Sequence, residues 1–157
     1  MKKEDAKKLS YALKILLFTA YLALLCYFLF FAESMGRSFV ERTYHYNLMP
    51  FKEIGRFWIH RKTLGFWSVA LNLVGNVVAF IPFGMFLPWL YGRCRKFSLT
   101  VLFSFEFSLF VEITQLAFKV GSFDVDDILL NTLGGVLGFL GYRIYVCIRK
   151  RMPRSGI

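Results

Sequence analysis

Four long apolar stretches constrain the fold of this chain more than any other feature of its 157 residues. A helix needs roughly 20 predominantly apolar residues to cross a hydrocarbon layer about 30 Å thick. Backbone polar groups in lipid must be satisfied within the protein, so each stretch is predicted to be a transmembrane helix. The predicted spans cover about residues 11–31, 68–90, 98–118 and 127–147.

The composition places the chain in the membrane class. Hydrophobic residues make up 57% of the sequence and aromatic residues 19%, which exceeds what a soluble core of this size needs. The net charge of +10 could indicate nucleic acid, but the basic residues stand at the ends of apolar runs and form no face. We therefore predict an all-α integral membrane bundle of four helices, with residues 1–157 as one domain and no nucleic-acid partner.

The distribution of basic residues predicts the orientation. Of the 20 Lys and Arg residues, 13 lie at the amino-terminal end, in the 92–97 connection and at the carboxy-terminal end. Short basic segments stay in the cytoplasm during insertion, so both termini and this connection are predicted to be cytoplasmic. The segments 32–67 and 119–126 are then external.

The first external loop contains a predicted short amphipathic helix. Phe51, Ile54 and Trp58 repeat at helical spacing, and charged residues occupy the other face. We expect this helix to lie flat on the outer leaflet. Residues Asn47 to Pro50 would form the turn before it, with Pro50 starting the helix.

Polar side chains gather near the external ends of three spans. At a rise of 1.5 Å per residue, none of these side chains lies more than about 12 Å from the external edge. We predict that they form a polar chamber that binds a ligand, since amides and carboxylates in a bilayer are costly unless they pair or face water. Its members would be Asn72 and Asn76 in the second span, Glu112 and Gln115 in the third, and Asp124, Asp126, Asp127 and Asn131 at the start of the fourth.

A structural role for the same residues stays open. Asp at a helix amino terminus caps free amide groups, and Asn or Gln can join helices by hydrogen bonds. Four carboxylates also offer oxygen ligands to a divalent cation such as Mg²⁺ or Mn²⁺. The candidate metal ligands are Glu112, Asp124, Asp126 and Asp127.

Small residues predict how the helices pack. Gly134, Gly138 and Gly141 share one stripe of the fourth span with Asp127, and small residues let a neighbouring backbone approach closely. Pro82, with Gly84, is expected to bend or break the second span.

Two charged residues lie deeper in the predicted bundle. Glu106 falls on a different face of the third span from Glu112. A structural ion pair with Arg143 is the default expectation, because a charge inside a membrane is costly unless it is paired.

Several stretches resemble the VanZ-like family, which is named for a teicoplanin-resistance protein. They are NLMPF (47–51), NLVGNVVAFIPFGMFLP (72–88), EITQ (112–115) and FDVDDILLNTLGGVLG (123–138). The resemblance implies a multi-pass protein of the bacterial cytoplasmic membrane, associated in some members with low-level glycopeptide resistance. The residues it implies as signature positions are Asn47, Pro50, Asn72, Asn76, Pro82, Gly84, Glu112, Gln115, Asp124, Asp126, Asp127, Asn131 and Gly134.

Three functions remain open at this point. The first is a non-catalytic cell-envelope protein that binds or shields a membrane lipid or a lipid-linked cell-wall precursor at the outer leaflet. The second is an intramembrane, metal-dependent enzyme that acts on a lipid-linked phosphate. The third is a small transporter, which four spans without an evident inverted repeat support least.

Overall fold

The computed structural model describes residues 3–32, 46–59 and 66–151. This part of the chain contains four helices that are long and apolar enough to cross a membrane, which confirms the four predicted spans. The orientation of the bundle in the cell stays a prediction.

The elements follow one another in a simple order. Helix α1 (Lys3–Tyr27) continues into a π-helical turn (Phe28–Ala32), and the short helix α2 (Lys52–Ile59) follows strand β1 (Tyr46–Asn47). Helix α3 (Phe66–Leu90) is joined by a 3-10 turn (Gly92–Arg95) to α4 (Phe97–Phe118), and strand β2 (Phe123–Asp124) leads into α5 (Val125–Arg151). The two strands pair in parallel, with Tyr46 opposite Phe123 and Asn47 opposite Asp124.

Helices α3 and α5 form the most extensive helix contact of the described chain, and glycines make it possible. A Cβ atom on Gly134 would lie 2.2 Å from the Val77 carbonyl oxygen, and one on Gly138 would lie 2.0 Å from that of Ile81. The two backbones therefore touch directly, as predicted for these two glycines. Gly141 has no such neighbour within 4 Å among the residues that the structure describes, so the close contact does not extend to it.

The buried face of α4 carries small hydroxyl side chains, which the sequence analysis did not single out. Thr100, Ser104 and Ser108 are each 0% exposed and stand one helical turn apart. Ser104 packs on Gly135, where an added Cβ would lie 2.1 Å from the Ser104 hydroxyl oxygen. A Cβ on Gly84 of α3 would lie 2.0 Å from the Gly135 carbonyl oxygen, so Gly84 lets α3 approach α5 at the residue where Gly135 lets α4 approach it.

Aromatic side chains fix α1 against α3. The rings of Phe18 and Phe83 lie 6.0 Å apart between centroids, and the Tyr21 hydroxyl donates a hydrogen bond of 2.7 Å to the Ala79 carbonyl. Buried Phe80 and Leu25 complete this core. Helix α1 consequently runs antiparallel to α3, and its first residues lie at the same end of the bundle as the last residues of α5.

The described residues show neither the break expected at Pro82 nor the ion pair expected for Glu106, and a bend at Pro82 stays a prediction. Pro82 does not break the second span, because α3 is one continuous helix through it. Contacts with α5 on both sides of Pro82, at Val77 and Gly84, hold the helix together. Glu106 makes no ion pair with Arg143 among the described residues, since Glu106 lies on the exposed face of α4, opposite the buried hydroxyl stripe.

The glycine contacts predict a contrast between two alanine variants one turn apart. Gly138→Ala should lower the free energy of unfolding by about 1 to 3 kcal/mol, because its Cβ overlaps the α3 backbone. Gly141→Ala is the matched control and should be neutral or stabilising, since alanine favours a helix interior over glycine. Thermal unfolding in detergent measures both, and equal stability of the two variants would contradict this packing.

Candidate functional site

The carboxylate of Asp126 binds the start of a helix that is distant in sequence. It is 1% exposed, and its two oxygens accept hydrogen bonds from the backbone N–H groups of Phe51, Glu53 and Ile54. The first amides of a helix have no partner within the helix, and a negative charge there also suits the helix dipole. Asp126 therefore fixes α2 on top of the α5 amino terminus.

The turn before α2 is strained, and the same carboxylate holds it. Phe51 has a φ of 64°, a left-handed conformation that is a genuine outlier for a bulky residue. Helix α2 begins at Lys52, after the turn that contains Pro50. The expectation that Pro50 starts the helix is thus wrong, because Phe51, in its left-handed conformation, separates Pro50 from the first helical residue.

Asn47 and Asp124 connect the two short strands through their side chains. The Asn47 amide donates to Asp124 Oδ1 at 3.0 Å, and Asn47 Oδ1 accepts from the Met49 N–H at 3.2 Å. Asp124 Oδ1 also accepts from the Asp126 N–H at 2.8 Å, which makes Asp124 the amino-terminal cap of α5. One carboxylate thus fixes both the loop before α2 and the start of the fourth span.

Glu112 of α4 binds the backbone of Asp124. It is 2% exposed, and its Oε2 accepts a hydrogen bond of 2.9 Å from the Asp124 backbone N–H. Burial raises the pKa of Asp124 above its ordinary value, and the nearby Asp126 charge adds to this effect. Three contributions lower the pKa of Asp124 without cancelling this rise. They are the hydrogen bonds from the Asp126 N–H and from Asn47, and the positive charge of Arg56.

Two asparagines join α5 to its neighbours. The Asn76 amide on α3 donates to Asp127 Oδ1, and the Asn131 amide donates to Ser108 Oγ on α4 at 2.9 Å. Asn131 is 1% exposed, yet within the described part of the chain its Oδ1 has no hydrogen-bond partner. Buried acceptors are rarely left unpaired, so this oxygen retains capacity for one more donor.

Most of the predicted chamber residues meet at one end of the bundle, where Asn47 and Ser108 join them. Gln115 instead donates a hydrogen bond of 2.8 Å to the Leu29 carbonyl, in the π-helical turn that follows α1. Asn72 lies on α3, and its side chain falls outside the described part of the structure. We call the assembled residues the polar cluster: Asn47, Asn76, Ser108, Glu112, Asp124, Asp126, Asp127 and Asn131.

Metal binding by the cluster carboxylates stays a prediction. Within residues 3–32, 46–59 and 66–151, no group of three or more His, Cys, Asp or Glu side chains is arranged to hold a metal ion. Both oxygens of Asp126 accept backbone hydrogen bonds, as does Asp124 Oδ1.

Comparison with known proteins identifies the family. The VanZ/LLP1 family profile matches residues 18–146. The chain belongs to the VanZ/LLP1 family. This match includes the whole polar cluster, and with the four apolar helices it makes the chain a multi-pass membrane protein.

A similar sequence is that of Protein VanZ from Enterococcus faecium. It is 32% identical over 112 residues, which cover 69% of this chain and 57% of that protein. The chain thus matches little more than half the length of this relative. No solved structure matches the chain.

The hydrogen bonds of Asp126 predict a local effect of its replacement. Asp126→Asn should speed hydrogen exchange of the amides at 51, 53 and 54 by about 10- to 100-fold, since a charged acceptor of several backbone hydrogen bonds is lost. Asp127→Asn is the matched control, because Asp127 contacts Asn76 on α3. Mass-spectrometric exchange across residues 48–56 measures the effect, and equal rates in both variants would contradict the assignment.

The raised pKa of Asp124 predicts a dependence of stability on pH. The folded protein binds the proton of the Asp124 carboxyl group more tightly than the unfolded chain does. The free energy of unfolding therefore falls as pH rises from the pKa of Asp124 in the unfolded chain to its pKa in the folded protein. Asp124→Asn keeps an acceptor oxygen but cannot ionise. As the pH rises from about 4, the wild type should therefore lose stability relative to this variant in denaturant titrations. If the free energies of unfolding of the wild type and of Asp124→Asn changed equally with pH, the prediction would be contradicted.

Proposed function

We propose that this chain is a VanZ-like protein of the bacterial cytoplasmic membrane that binds or shields a lipid or lipid-linked cell-wall precursor at the outer leaflet. By doing so it would lower the access of glycopeptides such as teicoplanin to that precursor. One observation carries the proposal: exposed apolar side chains flank Asn47, the member of the polar cluster that lies on the loop before α2. Tyr46, Leu48, Met49 and Phe51 are 63% to 67% exposed, whereas Asn47 among them is 8% exposed.

This alternation suits an amphiphilic ligand. Exposed apolar patches next to polar groups mark membrane or ligand contacts, and the apolar side chains here are anchored by Asn47 and Asp126 beneath them. A ligand with a hydrocarbon chain and a polar end would contact both surfaces.

The geometry favours binding over metal-dependent catalysis. A metal-dependent enzyme acting on a lipid-linked phosphate would need the carboxylates of Asp124 and Asp126 as metal ligands. In the structure these carboxylates accept hydrogen bonds from backbone amides, which a metal would have to replace. Saturable Mg²⁺ or Mn²⁺ binding that Asp127→Asn abolishes would favour the enzyme instead.

The binding proposal predicts a loss of ligand when the exposed apolar side chains become polar. The double variant Leu48→Ser and Met49→Ser should bind a polyprenyl-diphosphate-linked cell-wall precursor at least about tenfold more weakly, because apolar contact area is removed. Native mass spectrometry measures retention of this precursor. Teicoplanin susceptibility of a sensitive bacterium that expresses each form gives the cellular readout.

The matched control is Leu133→Ser with Leu137→Ser, two exposed side chains on α5 away from the loop. The control should keep both precursor binding and its effect on susceptibility. Equal binding by the loop variant and the wild type would overturn the proposal, as would an equal loss in the control.

A further inference from the structure

A cavity of about 1370 Å³ opens at the end of the bundle opposite the polar cluster. Side chains from α1, α3, the 3-10 turn and α5 line it. Among its described lining residues five are cationic and none is acidic, so the cavity is strongly electropositive. We call this surface the basic groove, and its cations are Lys14, Arg95, Arg143, Arg149 and Lys150.

The convergence of these cations exceeds what membrane orientation requires. Orientation needs only that basic residues flank the spans, whatever direction their side chains take. Here three separate elements contribute cations to one cavity, and Arg143 and Lys150 stand seven residues apart on one face of α5. Like charges in one groove repel each other, and an anion between them relieves that repulsion.

Aromatic side chains place the basic groove at the level of lipid headgroups. The Lys14 ammonium lies 4.8 Å from the centroid of the Trp89 ring, and the Arg149 guanidinium donates to the Tyr145 hydroxyl at 3.3 Å. Trp and Tyr are enriched where a membrane meets water. Leu13 and Leu16, beside Lys14 on α1, are 54% and 64% exposed and offer apolar surface to acyl chains.

We propose that the basic groove binds the phosphate headgroup of an anionic phospholipid from the leaflet at this end of the bundle. Guanidinium groups bind phosphate oxygens in a bidentate geometry, and lysine adds a point charge. Basic pockets between transmembrane helices recognise anionic headgroups through this chemistry. The site is separate from the polar cluster, and its ligand is independent of the function proposed for that cluster.

Lipid binding by purified protein in detergent tests the proposal. Phosphatidylglycerol and phosphatidylcholine are added in turn, and native mass spectrometry measures the lipid retained. The double variant Arg143→Gln and Arg149→Gln should bind phosphatidylglycerol at least about tenfold more weakly. The matched control is Arg93→Gln with Arg151→Gln, which removes the same charge at the same end from residues outside the groove lining. It should bind like the wild type.

A second variant and a second measurement distinguish loss of lipid binding from misfolding of the double variant. Lys14→Gln, on another helix, should weaken phosphatidylglycerol binding in the same direction. Cys147 is exposed and lines the groove, so phosphatidylglycerol should slow its alkylation in the wild type whereas phosphatidylcholine should not.

Three results would overturn the proposal. An equal loss of phosphatidylglycerol binding in the groove variant and the control variant would show that binding responds to net charge alone. Equal binding of the two lipids would exclude recognition of the anionic headgroup. Displacement of phosphatidylglycerol by millimolar inorganic phosphate would show that the groove takes the free anion and not the lipid.

Discussion

The arrangement at the polar end depends on one buried carboxylate that binds backbone amides from a distant part of the chain. Asp126 is almost fully buried and accepts hydrogen bonds from the start of α2. A buried charge is stable only when its hydrogen-bonding capacity is filled, and free helix-terminal amides need an acceptor. Each side of this contact therefore satisfies the other, and the start of α2 is held against the bundle.

The close packing of the helices brings the other polar groups to this contact. Glycines on α5 let the α3 backbone and the Ser104 side chain of α4 approach closely, and Asn76 of α3 meets Asp127 in the same helix pair. On α4, one buried stripe runs from Thr100 through Ser108 to Glu112. The same helix face thus packs on α5 along its length and supports Asp124 at its end. Packing and polar pairing are consequences of the same helix register.

The sequence predicted the four spans and that polar side chains of three of them gather at one end of the bundle, because both follow from hydrophobic length and helical rise. It could not predict that Asp126 contacts the amides at 51 to 54, since these positions are 72 to 75 residues apart. The parallel pair at 46–47 and 123–124 is too short to leave an alternating pattern. The roles of Gly135 and Ser104 depend on helix rotation, which composition does not fix. The sequence could not decide whether Pro82 breaks α3, because contacts with α5 on both sides of it hold the helix together.

The most direct test of this architecture is a disulfide between the two short strands. In a variant whose native cysteines are replaced by alanine, Tyr46→Cys and Phe123→Cys would stand opposite each other in the parallel pair. Neighbouring strands lie about 4.8 Å apart, within the roughly 4.4 to 6.8 Å between Cα atoms that a disulfide needs. The account predicts a rapid crosslink on mild oxidation and none for Tyr46→Cys with Tyr91→Cys, at the far end of α3. Failure of the first pair to crosslink, or equal crosslinking of both pairs, would contradict it.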